Sequence, residues 1–427
     1  MISAARRRSI GGPTMTIVDP KNAWRTATPG HAGWERTAAP DDPDKYFIVS
    51  TDTHHTEPPG FLDAIEPEFA HRCPRIESAE NGAEFLVSEG SKPYLVKPGR
   101  RARGRQDRMG EDDRLRFDRY RSGISIEQRL ADAALDGISA EVIFPNYGLL
   151  CWATPDPAFQ MAMCRAYNRW SFDYFGPHFG RLNPAALLGG AAVEASVAEA
   201  AWAAERGYRS VAMPAQPIFG LANAERLSYN DPGYEPLWAA LEELGLPIVF
   251  HVATGRDAQA VRGGGGAVIN YVCHAMPTTL EPIVTLIASG VFERHPDLRC
   301  GTVEAGVGWV PWVLETMDYA FAAHHFWVRP ALAERPSEYY RRNCFSTFVE
   351  DHVGLRLVEE LNLADNFMWS NDYPHHEGTW PHSAEAIERG MASLSETTRA
   401  KVLGLNAARI FKLEVPESSR LAESAGE

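Results

Sequence analysis

Residues 369–381 read WSNDYPHHEGTWP, and they place an acid, two histidines and a second acid directly after a short apolar run. The run itself, at 366–369, predicts a buried strand, and the Pro, Gly and charged residues that follow it predict a loop. Alpha/beta barrels carry their functional groups in loops at the carboxyl ends of buried parallel strands. The segment therefore predicts a barrel and the end of that barrel at which a functional site lies.

Apolar, strand-like runs alternate with helical patterns between residues 45 and 413. The eight runs lie at 47–51, 142–144, 185–188, 210–213, 248–250, 298–303, 344–349 and 366–369. The helical patterns between most of them lie at 157–175, 193–206, 234–244, 277–292, 309–325 and 353–361. This alternation predicts βα units in the α/β class, and eight repeats favour a closed (β/α)8 TIM barrel over an open doubly wound sheet.

Three stretches of the chain depart from this rhythm. Residues 1–44, rich in Pro, Ala, Thr and charge, predict a flexible N-terminal arm, and residues 414–427 predict a flexible tail. Residues 66–120 are dense in Arg, Gly and Glu and predict an insertion after the first strand that covers the barrel mouth. The barrel is therefore expected to span 45–413 and to end on a docked helix at 397–411.

Composition excludes several classes of function. With 427 residues, 44% of them hydrophobic, the chain can bury a core that needs no metal to fold. Its net charge of −14 argues against a nucleic-acid partner, and no run approaches the roughly 18 apolar residues of a membrane helix. Six cysteines without a CxxC pair indicate reduced thiols. We therefore expect a cytoplasmic protein with a small-molecule substrate and no membrane partner; a homodimer is left open.

Acids and histidines follow four of the eight apolar runs. Asp52 and His54 follow the first run and, two residues apart, point to the same face of a strand. His251 ends the fifth run, Glu304 ends the sixth, and Asp372 follows the eighth. Each has an ordinary structural explanation when taken alone. A buried carboxylate is unfavourable unless it is paired or bound to metal, so the five together predict a metal site.

Two further residues are candidates for the site. Glu57 precedes Pro58 and is either a sixth metal ligand or a cap of its loop. His375 follows Asp372 by three residues, and imidazole titrates near neutral pH. His375 is therefore either an acid–base or substrate-contacting group, or a hydrogen-bond partner that orients Asp372.

Several motifs occur in a fixed order along the chain. They are TDTHHTEP at 51–58, AYNRW at 166–170, FH at 250–251, GVFERHPDL at 290–298, VEAGVGW at 303–309 and WSNDYPH at 369–375. This set resembles the amidohydrolase-related family, in the branch that includes aminocarboxymuconate-semialdehyde decarboxylase and amidohydrolase-fold non-haem di-iron oxygenases. The resemblance spans roughly 45–413 and implies a metal-dependent barrel. It implies ligands on strands one, five, six and eight, which here are Asp52, His54, His251, Glu304 and Asp372.

The chain departs from the pattern of that family in three places. The first strand carries Asp-x-His where the family usually has His-x-His, and Glu304 stands where the decarboxylase has a catalytic histidine. The fourth run has no lysine, so a bridging carbamylated lysine is not expected. With Glu57 included, the donors are four carboxylates and two imidazoles. This oxygen-rich set suits iron or manganese, and it matches the ligand tally of carboxylate-bridged di-iron centres.

Three functions are consistent with the sequence. The first is a metal-dependent hydrolase or non-oxidative decarboxylase of a small, carboxylate-bearing substrate, using a metal-activated water. It would hold one or two divalent ions (Zn, Fe or Mn) and use Asp372, Glu304 and His375 as catalytic residues. The alternative is a non-haem di-iron monooxygenase that hydroxylates an apolar small molecule. The third is a barrel that binds a ligand without turnover.

Overall fold

The computed structural model describes residues 31–97, 110–218, 228–254, 261, 263–324, 326–327 and 329–419. The strands are β1 (Val49–His55), β2 (Arg75–Ser78), β3 (Glu84–Val87), β4 (Tyr94–Lys97), β5 (Ala140–Pro145), β6 (Leu182–Pro184), β7 (Ala186–Leu187), β8 (Val211–Met213), β9 (Ile248–His251), β10 (Cys300–Val303), β11 (Cys344–Phe348) and β12 (Phe367–Trp369).

The α-helices are α1 (Glu111–Ser122), α2 (Ile126–Leu135), α3 (Pro157–Phe175), α4 (Val193–Glu205), α5 (Glu235–Leu244), α6 (Gly266–Asn270), α7 (Met276–Ala288), α8 (Val291–Arg294), α9 (Val310–Ala323), α10 (Pro336–Asn343), α11 (His352–Leu357), α12 (Ser383–Met391), α13 (Glu396–Ala400) and α14 (Asn406–Phe411). None of the helices within the described ranges has the length and apolarity needed to cross a bilayer.

Parallel strands form a closed barrel wall in the order β1, β5, β6 with β7, β8, β9, β10, β11 and β12. β6 and β7 are two halves of one strand position, separated by Ala185. The ring closes where the Asp372 amide donates to the Asp52 carbonyl at 3.1 Å and the His54 amide donates to the Tyr373 carbonyl at 2.7 Å. The prediction of a (β/α)8 barrel is confirmed, with each of the eight apolar runs overlapping one strand position.

Alternation along each strand decides which residues face the barrel interior. In β9, Ile248 and Phe250 join an apolar cluster that contains helix residues such as Trp238. Val249 joins a second cluster, made with alternate residues of the neighbouring strands. All three side chains are fully buried, as expected for a parallel sheet covered on both faces. His251 has the same parity as Val249 and therefore points into the barrel.

The insertion predicted at 66–120 contains the antiparallel sheet β2–β3–β4 and helix α1. Arg72 pairs with Glu89 at 2.6 Å and with Asp156 at 2.7 Å, which ties the sheet to the start of α3. On the other side, the backbone carbonyl of Tyr120 accepts a hydrogen bond from Thr56, directly after β1. The described part of the insertion thus adjoins the carboxyl-end loops of the barrel.

The predicted flexible arm and tail are partly packed against the barrel. The Trp34 ring lies 6.2 Å from the Tyr46 ring and 3.9 Å from the Arg399 guanidinium, and Ala38 is fully buried. Residues 31–44 therefore form an ordered edge of the fold, because their few apolar side chains pack against the barrel. In the tail, Val415 packs against a core cluster and Ser419 is buried, while residues 416–418 are exposed. The rest of both predictions, at 1–30 and 420–427, lies outside the described residues.

The C-terminal helical segment docks closely on the chain that enters β1. A π-helical stretch, Lys401–Leu405, joins α13 to α14, and a Cβ added to Gly404 would lie 2.0 Å from the Phe47 carbonyl oxygen. We expect Gly404→Ala to lower the free energy of unfolding by roughly 1–3 kcal/mol, because backbone must move to admit the methyl group.

The matched control for this substitution is Gly390→Ala on α12. Its added Cβ would make only an ordinary contact, 3.8 Å from Leu355. Alanine is favoured over glycine inside a helix, so this variant should be neutral or more stable by up to about 1 kcal/mol. Urea unfolding of both variants measures the difference, and equal midpoints would contradict the close docking.

Candidate metal centre

The structure brings together the five residues predicted at strand ends. One group, whose ligand atoms all lie within 4.8 Å of one another, consists of Asp52, His54, His251 and Glu304. A second group, which meets the same limit, consists of His54, Glu304, Asp372 and His375. The two groups overlap, so they form one cluster at the carboxyl end of the barrel.

Nε2 of His54 lies at the centre of the cluster. It is 3.1 Å from Nε2 of His251 and 3.4 Å from Oδ1 of Asp52. It is 3.6 Å from Oδ1 of Asp372 and 4.0 Å from Oε2 of Glu304. Two donors bound to one ion at about 2.1 Å are about 3.0 Å apart at right angles and about 4.2 Å apart when opposed. The spacing therefore fits donors that share one cation.

The orientation of the two central imidazoles is fixed by hydrogen bonds at their Nδ1 atoms. Nδ1 of His54 lies 3.2 Å from the Pro145 carbonyl oxygen, and Nδ1 of His251 lies 2.9 Å from that of Val252. A carbonyl oxygen only accepts, so Nδ1 of each ring carries the hydrogen. In the neutral ring Nε2 then offers a lone pair, and the two Nε2 atoms face each other. Two facing lone pairs require a proton or a cation between them, which is how metal-binding histidines are arranged.

The carboxylates of Asp52 and Asp372 are fully buried, and their oxygens accept no hydrogen bond of ordinary geometry from the described residues. Buried carboxylates without donors are strongly unfavourable unless a cation neutralises them. The donor set contains oxygen and imidazole nitrogen but no thiolate. It fits a divalent ion such as manganese, iron or zinc.

The charges of the cluster act on one another. Burial raises the pKa of Asp372 well above its usual range, and the charge of Asp52 raises it further. Burial and the charge of Asp372 also raise the pKa of Glu304. Burial would raise the pKa of Asp52 as well, but the facing imidazoles of His251 and His54 outweigh it and lower the pKa. Burial lowers the pKa of His54 to about 3. A divalent cation would let the carboxylates ionise together.

Two of the acidic residues sit on strained backbone. Glu304 and Asp372 have φ values of 59° and 50°, in the left-handed region that non-glycine residues rarely adopt. The carboxamide of Asn371 holds the second of these turns, since it accepts from the Ser50 hydroxyl at 2.7 Å and donates to Asp136 at 3.0 Å. No motif in the sequence pointed to a role for these three supporting residues. Such strain, fixed by surrounding bonds, is typical of functional sites.

Glu57 lies outside both groups of the cluster. Its two carboxylate oxygens accept the backbone N–H groups of Tyr147 and Gly148, each at 2.8 Å. Burial raises its pKa to about 7, although these hydrogen bonds oppose the shift. Glu57 therefore anchors the loop after β5, whereas the structural role predicted for it was to cap its own loop. The expected tally of four carboxylates and two imidazoles is replaced by three of each, because His375 joins the cluster and Glu57 does not.

His375 contacts the cluster from the loop after β12. Its Nδ1 lies 3.0 Å from Oδ1 of Asp372, and its ring stacks on that of His54 with centroids 4.1 Å apart. Phe144 and Tyr120 supply an aromatic wall, with ring centroids 5.0 Å from His251 and 5.4 Å from His375, respectively. Neither aromatic was predicted from the sequence, although Phe144 closes the second predicted strand.

The fold and this cluster together define a (β/α)8 barrel with a candidate metal centre at the carboxyl ends of its strands. The chain belongs to the Amidohydrolase family, whose model matches residues 52–413. The resemblance inferred from the ordered motifs is thereby confirmed.

Individual relatives and solved structures agree with this assignment. A Gamma-resorcylate decarboxylase of Rhodococcus jostii (strain RHA1) is 32% identical over 197 residues, which are 44% of this chain and 56% of that protein. This chain thus matches little more than half the length of that curated relative. An amidohydrolase from Mycobacterium avium subsp. paratuberculosis K-10 shares the fold with a TM-score of 0.69 at 20% identity, over 87% of this chain and 99% of the other.

A third match comes from a carboxy-lyase structure. It is a variant of the 5-carboxyvanillate decarboxylase of Novosphingobium aromaticivorans DSM 12444, crystallised with manganese and 3-methoxy-4-hydroxy-5-nitrobenzoic acid. The TM-score is 0.61 at 16% identity, over 89% of this chain and 100% of the other. At these identities, the likeness to both solved structures shows the fold alone.

Proposed function

We propose that this protein is a metal-dependent, non-oxidative decarboxylase of a hydroxylated aromatic carboxylic acid. The observation that carries the proposal is the buried cluster itself, in which unpaired carboxylate oxygens and imidazole lone pairs face one another. The relative that acts on γ-resorcylate supports the substrate class. None of the relatives reported above is named as an oxygenase, and they lend no support to the di-iron alternative.

The proposed metal ligands are Asp52, His54, His251, Glu304 and Asp372. When bound, a divalent ion supplies positive charge that neutralises these carboxylates and binds oxygen atoms of the substrate. Three carboxylates and two imidazoles suit manganese, iron or zinc, and the solved 5-carboxyvanillate decarboxylase makes manganese the first ion to test.

The reaction needs a proton at the ring carbon that carries the carboxylate. That carbon gains a C–H bond, the C–C bond to the carboxylate breaks, its electron pair returns to the ring, and CO2 leaves. Asp372 and His375 are the proposed acid–base pair, since Oδ1 and Nδ1 lie 3.0 Å apart beside the other ligand atoms of the cluster. Phe144 and Tyr120 would exclude water from the aromatic ring of the substrate.

The test is turnover of purified protein in the absence of oxygen. The metal content is measured first, and the protein is then incubated with 2,6-dihydroxybenzoate and other hydroxybenzoates in D2O. We expect CO2 release that matches substrate loss, with one deuteron incorporated at the vacated ring carbon. A product that forms only with O2, on protein holding two irons, would overturn the proposal in favour of the oxygenase.

Glu304→Gln tests the number of ions. In a one-ion site the variant should still bind one metal per chain, because the two imidazoles and two aspartates remain. Its kcat should fall by roughly 10²-fold, since a charge beside the reacting group is lost. Elemental analysis and CO2 release measure the two quantities.

The control for that variant is Glu350→Gln. Glu350 follows β11 at the same end of the barrel, but its carboxylate pairs with Arg389. We expect it to keep full activity. A drop from two ions to one in the Glu304 variant would instead show that Glu304 bridges a binuclear site.

A further inference from the structure

We infer that Asn146 is a positioning residue, which fixes the hydrogen of the His375 ring on Nε2 and so presents Nδ1 to the cluster. The inference deepens the proposed function and rests on it for one point only, the chemical use of Nδ1. The assignment of the hydrogen follows from a chain of hydrogen bonds that runs from α1 to the cluster.

The chain begins at Thr56, directly after β1. Its hydroxyl lies 2.6 Å from the backbone carbonyl oxygen of Tyr120, which can only accept, so the single hydroxyl hydrogen is used there. Thr56 can therefore only accept from its other neighbour, the side chain of Asn146 at 2.7 Å. This fixes the orientation of the Asn146 carboxamide, with Nδ2 towards Thr56.

The other end of the carboxamide decides the state of His375. Oδ1 of Asn146 lies 3.0 Å from Nε2 of His375 and can only accept. Nε2 must therefore carry a hydrogen, and in the neutral ring Nδ1 carries none. Nδ1 is the atom that lies 3.0 Å from Oδ1 of Asp372, so the lone pair of the ring and the carboxylate border the same part of the cluster. The opposite tautomer would set the Nε2 lone pair against the Asn146 oxygen.

The loop that carries Asn146 is held tightly. Glu57 accepts the N–H groups of the next two residues, Tyr147 and Gly148. A Cβ added to Gly148 would lie 2.7 Å from the Pro145 side chain and 2.9 Å from Oε1 of Glu57, so the loop passes through a space that only glycine fits. Glu57, a candidate metal ligand from the sequence, thus holds the loop that carries Asn146, the residue that sets the tautomer of His375.

The consequence for the proposed chemistry is that the neutral His375 ring presents the lone pair of Nδ1, and not an N–H group, to the cluster. The His375 ring stacks on that of His54, with 26° between the ring planes. If the hydrogen moved to Nδ1, the neutral ring would hold no lone pair towards the cluster. Residues that orient active-site imidazoles in this way commonly contribute roughly 10- to 100-fold to activity.

The direct test is long-range 1H–15N NMR of the zinc-loaded protein labelled with 15N-histidine, with His375→Gln used to assign the signals. We expect the Nε2–H form of His375 in the natural chain. In Asn146→Leu, the hydrogen should be found wholly or partly on Nδ1, and kcat should fall roughly 10- to 100-fold at unchanged KM and metal content. Asn146→Asp keeps an acceptor oxygen and should retain the Nε2–H form.

The control is Asn183→Leu. Asn183 is a buried asparagine whose carboxamide donates to the Glu141 carbonyl, near the start of β5 and so at the opposite end of the barrel. It should leave the tautomer and kcat unchanged. Should Asn146→Leu fail to fold, Thr56→Val serves instead, because it removes the acceptor that fixes the carboxamide, and it should also give a mixture of tautomers.

Two results would overturn the inference: an Nδ1–H form in the natural chain, or an Nε2–H form that survives both Asn146→Leu and Thr56→Val. The NMR result does not depend on turnover. An inactive natural chain with the Nε2–H form would therefore refute the decarboxylase proposal and leave the role of Asn146 in place.

Discussion

Replacing Asp372 with asparagine is expected to lower kcat by roughly 10³-fold, because the variant loses both a charge in the cluster and the carboxylate proposed to act with His375 in proton transfer. The change is isosteric, and the backbone bond from Asp372 to Asp52 that closes the barrel is kept. The fold should therefore survive. CO2 release, metal content and the thermal unfolding midpoint together measure the effect.

The matched control is Asp365→Asn. Asp365 precedes the same strand at the opposite end of the barrel, where it is exposed and pairs with Lys401 at 2.9 Å. A surface ion pair of this kind contributes at most about 1 kcal/mol, so we expect full activity. An Asp372→Asn protein that turned over at the natural rate would contradict the assigned role. So would one whose loss of activity was fully accounted for by loss of the folded fraction.

The fold was predictable because strands covered on both faces are apolar throughout, and that signal does not depend on neighbours. The limits of β1 show where the signal fails. The predicted run was 47–51, but the strand runs from Val49 to His55. Its second half is polar yet fully buried, since Asp52, Thr53 and His54 face either the cluster or the adjoining strand. Polar residues in a sequence are ordinarily taken to be exposed. The polar, buried second half of a strand that ends at a functional site is therefore not recognised as part of that strand.

The candidate ligands were predictable for a related reason. The carboxyl ends of parallel strands meet at one end of a barrel, so Asp52 and Asp372 could be placed together although 320 positions separate them. Glu57 follows the same strand as Asp52, but its carboxylate binds two backbone N–H groups of another loop instead of joining the cluster. A pattern of side chains in the sequence does not reveal such backbone partners. Asn146 was missed for the same reason, because its partners lie 90 and 229 positions away.

Removing the metal is expected to abolish turnover while leaving the fold in place. Chelator-treated protein should lose CO2 release, and one equivalent of manganese should restore it, because the proposed charge on the substrate oxygens comes from the ion. The folded state should also lose stability, since a ligand at about 100 times its dissociation constant contributes about 2.7 kcal/mol.

The physical reason for that loss lies in the cluster itself. Without a cation, the buried carboxylates of Asp52 and Asp372 face imidazole lone pairs and each other, and only a proton can relieve the repulsion. The unfolding midpoint should therefore fall on chelation in the natural chain and fall less in Asp372→Asn, where one charge is already gone. The Gly390→Ala variant should respond to chelation as the natural chain does, because its added Cβ would contact Leu355 and none of the cluster residues. Full activity and an unchanged midpoint in protein shown to be free of metal would refute the metal centre and the reaction proposed for it.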